Sequence, residues 1–257
     1  MGSECCTEPK DRNEIKKETM TVILLAAGTG SRMNSAIRKP HIEINGKPIL
    51  WYTLHAFQNS PIDQIILTVS PGTADVVRKE MIEPGGFNKV KLIIDGGKER
   101  YNSVYAGLLA GKEHFGSEIL DDESYVLIHD AARAFLTLDM IECCIDYVRR
   151  YKACMLGVPV KDTIRIVDEE HLATRTPPRK TLWIAQTPQC FMYREILAAY
   201  ELMMKNDTSN VTDDGMVMEK YGTRMIHMVE GGYDNIKITT PEDLIIGEAI
   251  IRSRLDG

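Results

Sequence analysis

Features that would mark a membrane protein, a nucleic-acid-binding protein or a disulfide-stabilised protein are missing from this sequence. No apolar run approaches the roughly 18 residues of a membrane-spanning helix, and the N-terminal residues lack the apolar core of a secretory signal. Basic residues number 31 against 37 acidic ones, so no overall positive field attracts nucleic acid or an anionic membrane. The 6 cysteines show no CxxC spacing. We therefore expect a cytoplasmic protein with reduced thiols and no nucleic-acid or membrane partner.

The chain is predicted to contain one α/β domain over residues 21–257. Residues 1–20 are polar and charged, and they predict a disordered tail. Apolar runs then alternate with stretches of helical periodicity, as in a mostly parallel sheet whose helices form the crossovers. The predicted strands are 21–27, 64–70, 90–95, 125–130, 154–160 and 223–231. The predicted helices are 49–58, 74–83, 102–113, 138–151, 193–205, 212–222 and a last one from Pro241.

A protruding β-arm is predicted over about residues 161–190. This stretch alternates apolar and polar residues at period two, around an acidic turn and the pair Pro177-Pro178. A two-stranded ribbon is marginally stable by itself in water and leaves edges exposed. We therefore expect the arm to pack against a second copy of the chain in a homodimer.

The segment from Leu24 to Pro40 carries the first candidate site. Its small residues allow close approach to a ligand, and its glycines allow successive backbone N–H groups to point into one phosphate-binding concavity. The segment is not a dinucleotide fingerprint, because Met33 stands where a third glycine or alanine is needed, and it is not a GxxxxGK[ST] loop. Arg32 and Lys39 are suited to the oxygens of a polyphosphate. By itself, the spacing also fits a glycine turn followed by solvated basic residues.

Six motifs in order along the chain resolve this ambiguity. They are Gly28–Met33 with Lys39, Asp95–Arg100 before Ser103, His129–Arg133, Thr187–Gln189, Thr212–Asp214 and Asp234–Thr239. Together they resemble the 2-C-methyl-D-erythritol 4-phosphate cytidylyltransferases, the IspD family, over about residues 20 to 252. The resemblance implies transfer of CMP from CTP to methylerythritol 4-phosphate with release of pyrophosphate, in non-mevalonate isoprenoid synthesis. It also implies Mg²⁺, a Rossmann-like sheet of the nucleotidyltransferase type, and a homodimer that exchanges the β-arm.

The resemblance assigns roles to individual residues of this chain. Arg32, Lys39 and Lys237 are the predicted catalytic residues, which stabilise the triphosphate and the pentacoordinate α-phosphorus by electrostatics. The predicted nucleotide-binding residues are Ala26, Ala27, Gly28, Thr29, Gly30, Ser31, Gly97, Arg100 and Ser103. The predicted acceptor-binding residues are Asp130, Arg133, Thr163, Arg179 and Asp234, with Asp130 and Asp234 also near Mg²⁺. His129 is predicted to be structural, because the chemistry requires no proton shuttle.

Two departures from the family pattern leave the acceptor open. Ala134 stands where the family's HDAARP has proline, and Pro40 follows Lys39 where glutamine is common. One alternative is a ribitol-5-phosphate cytidylyltransferase, which shares the loop, the arm and the reaction. Another is a nucleotide-binding regulator without turnover. A Rossmann oxidoreductase is disfavoured by Met33 and by the lack of an acidic residue at the expected place after the second strand.

Overall fold

The computed structural model of this protein describes residues 18–28 and 42–255. The predictions for residues 1–17 and for the end of the first loop, which includes Thr29, Gly30, Ser31, Arg32 and Lys39, lie outside the described residues. Within the described ranges, the predicted α/β architecture is confirmed. None of the helices there is long and apolar enough to cross a lipid bilayer.

A mixed, mostly parallel sheet of seven strands forms the centre of the fold, in the order β5-β4-β1-β6-β10-β7-β11. Its strands are β1 (Thr19–Ala26), β4 (Gln64–Val69), β5 (Val90–Asp95), β6 (Ser124–Asp130), β7 (Ala153–Pro159), β10 (Trp183–Met192) and β11 (His227–Glu230). The first four in chain order are mutually parallel. β10 lies antiparallel to both β6 and β7. β7 and the parallel β11 therefore run in the same direction as the first four strands, and the carboxyl ends of six strands meet at one edge of the sheet.

Helices cover both faces of this sheet. They are α1 (Ile49–Gln58), α2 (Ala74–Val77), α3 (Glu83–Gly85), α4 (Arg100–Phe115), α5 (Leu138–Tyr151), α6 (Tyr193–Lys205), α7 (Asp214–Tyr221) and α8 (Pro241–Leu255), with a π-helical turn, Arg78–Ile82, between α2 and α3. The cluster that contains Leu24 packs against α1 and α5, whereas the cluster that contains Ile23 packs against α4, α6 and α7. Neighbouring residues of β1 thus serve opposite faces, which explains why the buried strands are apolar throughout.

Two small hairpins lie outside the central sheet. The first pairs β2 (Glu43–Ile44) with β3 (Lys47–Pro48). Asn45 and Gly46 form its turn at φ of 50° and 74°, the left-handed geometry that an Asn-Gly hairpin turn requires. The second pairs β8 (Ile166–Val167) with β9 (Ala173–Arg175), both exposed. This second hairpin is the predicted arm.

Three predicted boundaries need correction. β1 begins at Thr19, so the predicted tail extends too far; Met20 is buried in the core. The arm ends earlier than predicted, because β10 already pairs with β7 from Trp183 onward and with β6 from Gln189 onward, inside the central sheet. β11 spans only His227–Glu230 of the predicted 223–231. Each error has the same cause: period-two and apolar patterns show that a strand exists but not which neighbour it pairs with.

Candidate active site

A cavity of about 820 Å³ opens at the carboxyl edge of the central sheet. The chain segments that follow β1, β4, β5 and β6 line it, and the order of strands reverses between β1 and β6 at this point. Open α/β sheets bind ligands in the crevice at such a reversal. The described residues that line the cavity are Leu25, Ala26, Ala27, Gly28, Ile49, Leu50, Ser70, Pro71, Gly96, Gly97, Lys98, Glu99, Arg100, Ser103, Asp130, Ala131, Ala132 and Lys237.

Asp130 is the charged centre of this cavity. It ends β6, and its carboxylate contacts two cations from other parts of the chain: Arg100 Nε lies 2.9 Å from Oδ1, and Lys237 Nζ lies 2.6 Å from Oδ2. Burial raises the pKa of Asp130, but the positive charges of Arg100 and Lys237 outweigh burial and hold that pKa well below its usual value. The carboxylate is therefore ionised at neutral pH.

Arg100 begins α4, and the loop before it is fixed by local hydrogen bonds. Glu99 caps the helix in a reciprocal capping box with Asn102. Ser103 Oγ accepts a hydrogen bond of 3.0 Å from the backbone N–H of Gly97. These contacts explain why three predicted nucleotide-binding residues, Gly97, Arg100 and Ser103, lie together on one wall of the cavity.

The two glycines of this loop also have a packing role. A Cβ atom on Gly96 would lie 2.2 Å from the Cβ of Ala27, and one on Gly97 would lie 2.3 Å from the Cβ of Asn102. Any side chain at either position would therefore separate the loop from β1 or from the start of α4. Close approach of a ligand to Gly97 is not the only reason for glycine there.

His129 lies beneath the cavity and is completely buried. Its Nε2 is 3.2 Å from the carbonyl oxygen of Arg133, which can only accept, so this nitrogen carries the proton. The Thr187 hydroxyl then donates to His129 Nδ1 at 3.0 Å and accepts from the backbone N–H of Asp130 at 3.2 Å. Burial lowers the pKa of His129 to about 3, so the ring is neutral. These contacts agree with the structural role predicted for His129.

The other predicted acceptor residues do not line this cavity. Arg133 donates to the carbonyl oxygens of Asn235, at 2.8 Å, and Ala185, at 3.3 Å. Asp234 is paired with Arg254 of α8. Exposed Thr163 lies before β8, and exposed Arg179 begins the short turn Arg179–Thr181, where it donates to the carbonyl oxygen of Lys161 at 2.9 Å. Their acceptor-binding roles stay predictions.

The described residues do not provide a complete set of protein ligands for a metal ion. No group of three or more histidine, cysteine or acidic side chains among them could hold an ion. Asp130 is the one predicted ligand that faces the cavity, whereas Asp234 pairs with Arg254 outside it. A role of Asp234 beside a metal therefore stays a prediction without support from its contacts.

Comparison with known proteins identifies the family. The profile of the family described as "IspD: 2-C-methyl-D-erythritol 4-phosphate cytidylyltransferase" matches residues 20–253. The chain is 48% identical over 232 residues to the protein of that name from Clostridium botulinum strain 657. The aligned residues cover 90% of this chain and 96% of the relative. The chain belongs to the 2-C-methyl-D-erythritol 4-phosphate cytidylyltransferase family.

Two further relatives show the same likeness. The protein of that name from Lachnoclostridium phytofermentans is 41% identical over 239 residues, which cover 93% of this chain and 99% of the relative. The crystal structure of 4-diphosphocytidyl-2C-methyl-D-erythritol synthase from Anaerococcus prevotii superposes with a TM-score of 0.77 at 31% identity, covering 91% of this chain and 96% of that one. The predicted family, fold class and cytidylyltransferase activity are thereby confirmed, and the ribitol-phosphate alternative is not favoured.

Sequence reasoning missed several residues in and around this cavity. Ser70 and Pro71 line the cavity directly after β4, so their position at a strand end was an available signal. Asp214 contacts Arg100, and Tyr200 contacts Asp214, although neither lines the cavity. Asp214 belongs to one of the six motifs, but the motif alone does not show which side chain it holds.

The neutral state of His129 predicts a pH-dependent loss of stability. Its pKa is about 3 in the folded protein and about 6.5 when unfolded, so only the unfolded chain binds a proton between these values. The stabilisation is complete above pH 6.5 and is lost as the pH falls. Between pH 7.5 and 5.5 this residue should cost about 1.4 kcal/mol of unfolding free energy, measured by urea denaturation.

Two variants test this prediction: His129→Gln, and His114→Gln as its control. The first should reduce the difference in unfolding free energy between the two pH values, whereas the second changes an exposed histidine and should leave that difference unchanged. The chosen pH interval lies above the range in which ordinary carboxylates titrate. Equal pH dependence in wild type and His129→Gln would contradict the assignment.

Proposed function

We propose that this cavity is where the protein transfers CMP from CTP to 2-C-methyl-D-erythritol 4-phosphate. Membership of the family supports the reaction. The observation that carries the location is the convergence of Arg100 and Lys237 on Asp130 at the carboxyl edge of the sheet. This is where an α/β fold places its ligands, and two cations there suit a substrate rich in phosphate oxygens.

The reaction joins two anions and needs no proton transfer. A phosphate oxygen of the acceptor forms a bond to the α-phosphorus of CTP while the bond from that phosphorus to the bridging oxygen of pyrophosphate breaks. The nucleophile is already an anion near neutral pH, so a general base is unnecessary. The protein must align the two substrates and stabilise the negative charge that accumulates around the α-phosphorus.

Lys237 is the described residue best placed for that stabilisation. Its ammonium group is held by Asp130 at the cavity wall and its side chain is 40% exposed, so it can contact a bound phosphate. By the family resemblance, Arg32 and Lys39 supply the remaining cationic contacts to the triphosphate. Both lie outside the described residues, in the sequence that follows Gly28.

The nucleoside half of CTP is proposed to lie against the loop between β5 and α4. Gly97, Arg100 and Ser103 line the cavity there, together with Ala26 at the end of β1 and Ala27 and Gly28 after it. Gly97 is exposed, and its backbone carbonyl oxygen is proposed to accept a hydrogen bond from the amino group of cytosine, because its N–H already donates to Ser103 Oγ. The phosphates would then extend toward Asp130, Lys237 and the loop after Gly28.

Mg²⁺ is proposed to bind together with the CTP phosphates. Magnesium in phosphoryl-transfer sites takes one or two carboxylates and completes its shell with phosphate oxygens and water. Asp130 fits this pattern as a single ionised carboxylate at the cavity wall. The ion would supply further neutralisation of phosphate charge when bound.

Two further parts of the proposal concern the β-arm and the cellular location of the enzyme. Thr163 and Arg179 are proposed to reach the site of a second copy and to bind the acceptor phosphate there. The exposed apolar residues of the arm, Ile164, Ile166, Val167 and Leu172, support burial against a partner. We also propose that the enzyme acts in the cytoplasm.

The acceptor is tested by incubating the purified protein with CTP and Mg²⁺. Pyrophosphate release should depend on methylerythritol 4-phosphate and should be much slower with ribitol 5-phosphate. Replacement of CTP by ATP is the control for the nucleotide. Faster turnover with ribitol 5-phosphate would contradict the proposed acceptor, and no release with either acceptor would contradict the proposed reaction.

Lys237→Ala should lower kcat by about 100-fold, the usual loss when one donor to a transition-state oxyanion is removed. The effect on the CTP dissociation constant should be smaller, because the charge that Lys237 stabilises grows during the reaction. Steady-state kinetics and calorimetric titration with CTP separate the two effects. Lys91→Ala is the control, since Lys91 is exposed on β5 and contacts only the carbonyl oxygen of Asn88 among the described residues.

Exchange of the arm between protomers predicts complementation between two inactive variants. Lys237→Ala loses its own site, whereas Arg179→Ala impairs its partner's site. In a mixed dimer, one of the two sites combines intact Lys237 with intact Arg179. About half of the dimers are mixed after reversible dissociation and random reassociation of equal amounts, so mixing the two variants should restore about a quarter of the wild-type activity. Activity equal to the average of the separate variants would show that Arg179 does not act across an interface.

A further inference from the structure

Three hydrogen bonds fix the guanidinium group of Arg100. Besides its contact with Asp130, it pairs with Asp214 through both terminal nitrogens: Nη1 to Oδ1 at 2.9 Å and Nη2 to Oδ2 at 2.7 Å. A two-point pair of this kind fixes the plane of the guanidinium group as well as its position. Arg100 is therefore held in one orientation by Asp214 and Asp130.

Asp214 is itself held rigidly and away from solvent. Its side chain is 0% exposed, and the Tyr200 hydroxyl donates to Oδ1 at 2.6 Å. The start of α7 is anchored to β10, because Gln189 donates to Asp213 at 2.9 Å and accepts from the backbone N–H of Gly215 at 2.8 Å. The position of Asp214 is thus set by the fold and not by a ligand.

Asp214 and Tyr200 act on the cavity only through Arg100. Neither lines the cavity, whereas Arg100 does. Stability alone is a poor explanation for this pair, since buried ion pairs often contribute little net stability compared with apolar replacements. Without Asp214, the guanidinium group would be free to reorient on Asp130. The contacts of Asp130 with Arg100 and with Lys237 would then change.

We propose that Asp214, supported by the hydroxyl of Tyr200, is a positioning residue that orients Arg100 for nucleotide binding. This inference rests on the proposed function, because it requires that CTP occupy the cavity. It assigns a role in nucleotide affinity to two residues that do not touch the nucleotide. Tyr200 of α6 contacts Asp214 of α7, Asp214 contacts Arg100, and Arg100 contacts Asp130 in the cavity.

The test is a double-mutant cycle on the dissociation constant of CTP, measured by calorimetry on the full chain. Asp214→Asn keeps the shape of the side chain and removes its charge, and should weaken CTP binding about 10-fold. In an Arg100→Gln background the same change should weaken binding by less than about twofold, because the residue it positions is gone. Equal losses in both backgrounds, or no loss in the wild-type background, would overturn the proposal.

Tyr200→Phe provides a second variant that keeps the buried ion pair. It should weaken CTP binding about threefold. The matched control is Tyr193→Phe on the same helix, whose buried hydroxyl donates to the carbonyl oxygen of Leu108 at 2.7 Å. This control should lower thermal stability without changing the dissociation constant. If Asp214→Asn does not fold, unchanged CTP binding by Tyr200→Phe overturns the proposal.

The two levels of the hypothesis fail in different ways. If wild-type protein neither binds CTP nor releases pyrophosphate, the proposed function is wrong and the positioning role falls with it. If wild type binds CTP and turns over, but the Asp214 and Tyr200 variants bind CTP as wild type does, only the positioning role is wrong.

Discussion

The candidate site depends on the pairing of the Asp130 carboxylate with two cationic side chains. This carboxylate holds Arg100 from α4 and Lys237 from the segment before α8, so one anion brings together cations that are 137 residues apart in sequence. A buried charge is costly unless it is paired, and here each oxygen has a cationic partner. With Asp214 included, the group contains two anions and two cations and has no net charge. It therefore cannot by itself neutralise a triphosphate, so the proposed function requires further cations, the role predicted for Arg32 and Lys39.

The parallel part of the sheet explains why these groups meet. β1, β4, β5 and β6 end at one edge, so the residues that follow them face a common crevice, although they are separated along the chain. β10 closes the other side of β6, and its Thr187 hydroxyl accepts from the backbone N–H of Asp130. The end of β6 is thus fixed laterally by an antiparallel neighbour. The arm that precedes β10 is consequently connected to the strand that supports Asp130.

The sequence predicted features that a local pattern determines. It was less informative about features that depend on contacts between segments distant in the chain. Apolar runs predict the buried strands, and ordered motifs predict that Gly97, Arg100, Ser103, Asp130 and Lys237 share a site. No local signal predicts that Asp214 faces Arg100, because the two residues lie 114 positions apart and meet only after α4 and α7 pack on the same face. Likewise, the period-two pattern of 161–190 does not show that the chain enters the central sheet at Trp183. The Asn45-Gly46 turn, by contrast, was a local hairpin signal that sequence analysis did not use.

His129 and Asp130 show how adjacent residues can have opposite electrostatic states. Consecutive side chains of a strand point to opposite sides, so Asp130 reaches the cavity while His129 packs edge-on against Phe57 of α1, with ring centroids 5.3 Å apart. Burial keeps the imidazole neutral, and its two nitrogens are occupied by Thr187 and the carbonyl of Arg133. The ring therefore adds no charge beneath a carboxylate that must remain ionised to hold Arg100 and Lys237. A site with this arrangement is suited to a reaction in which fixed charges, and not proton transfers, stabilise the transition state.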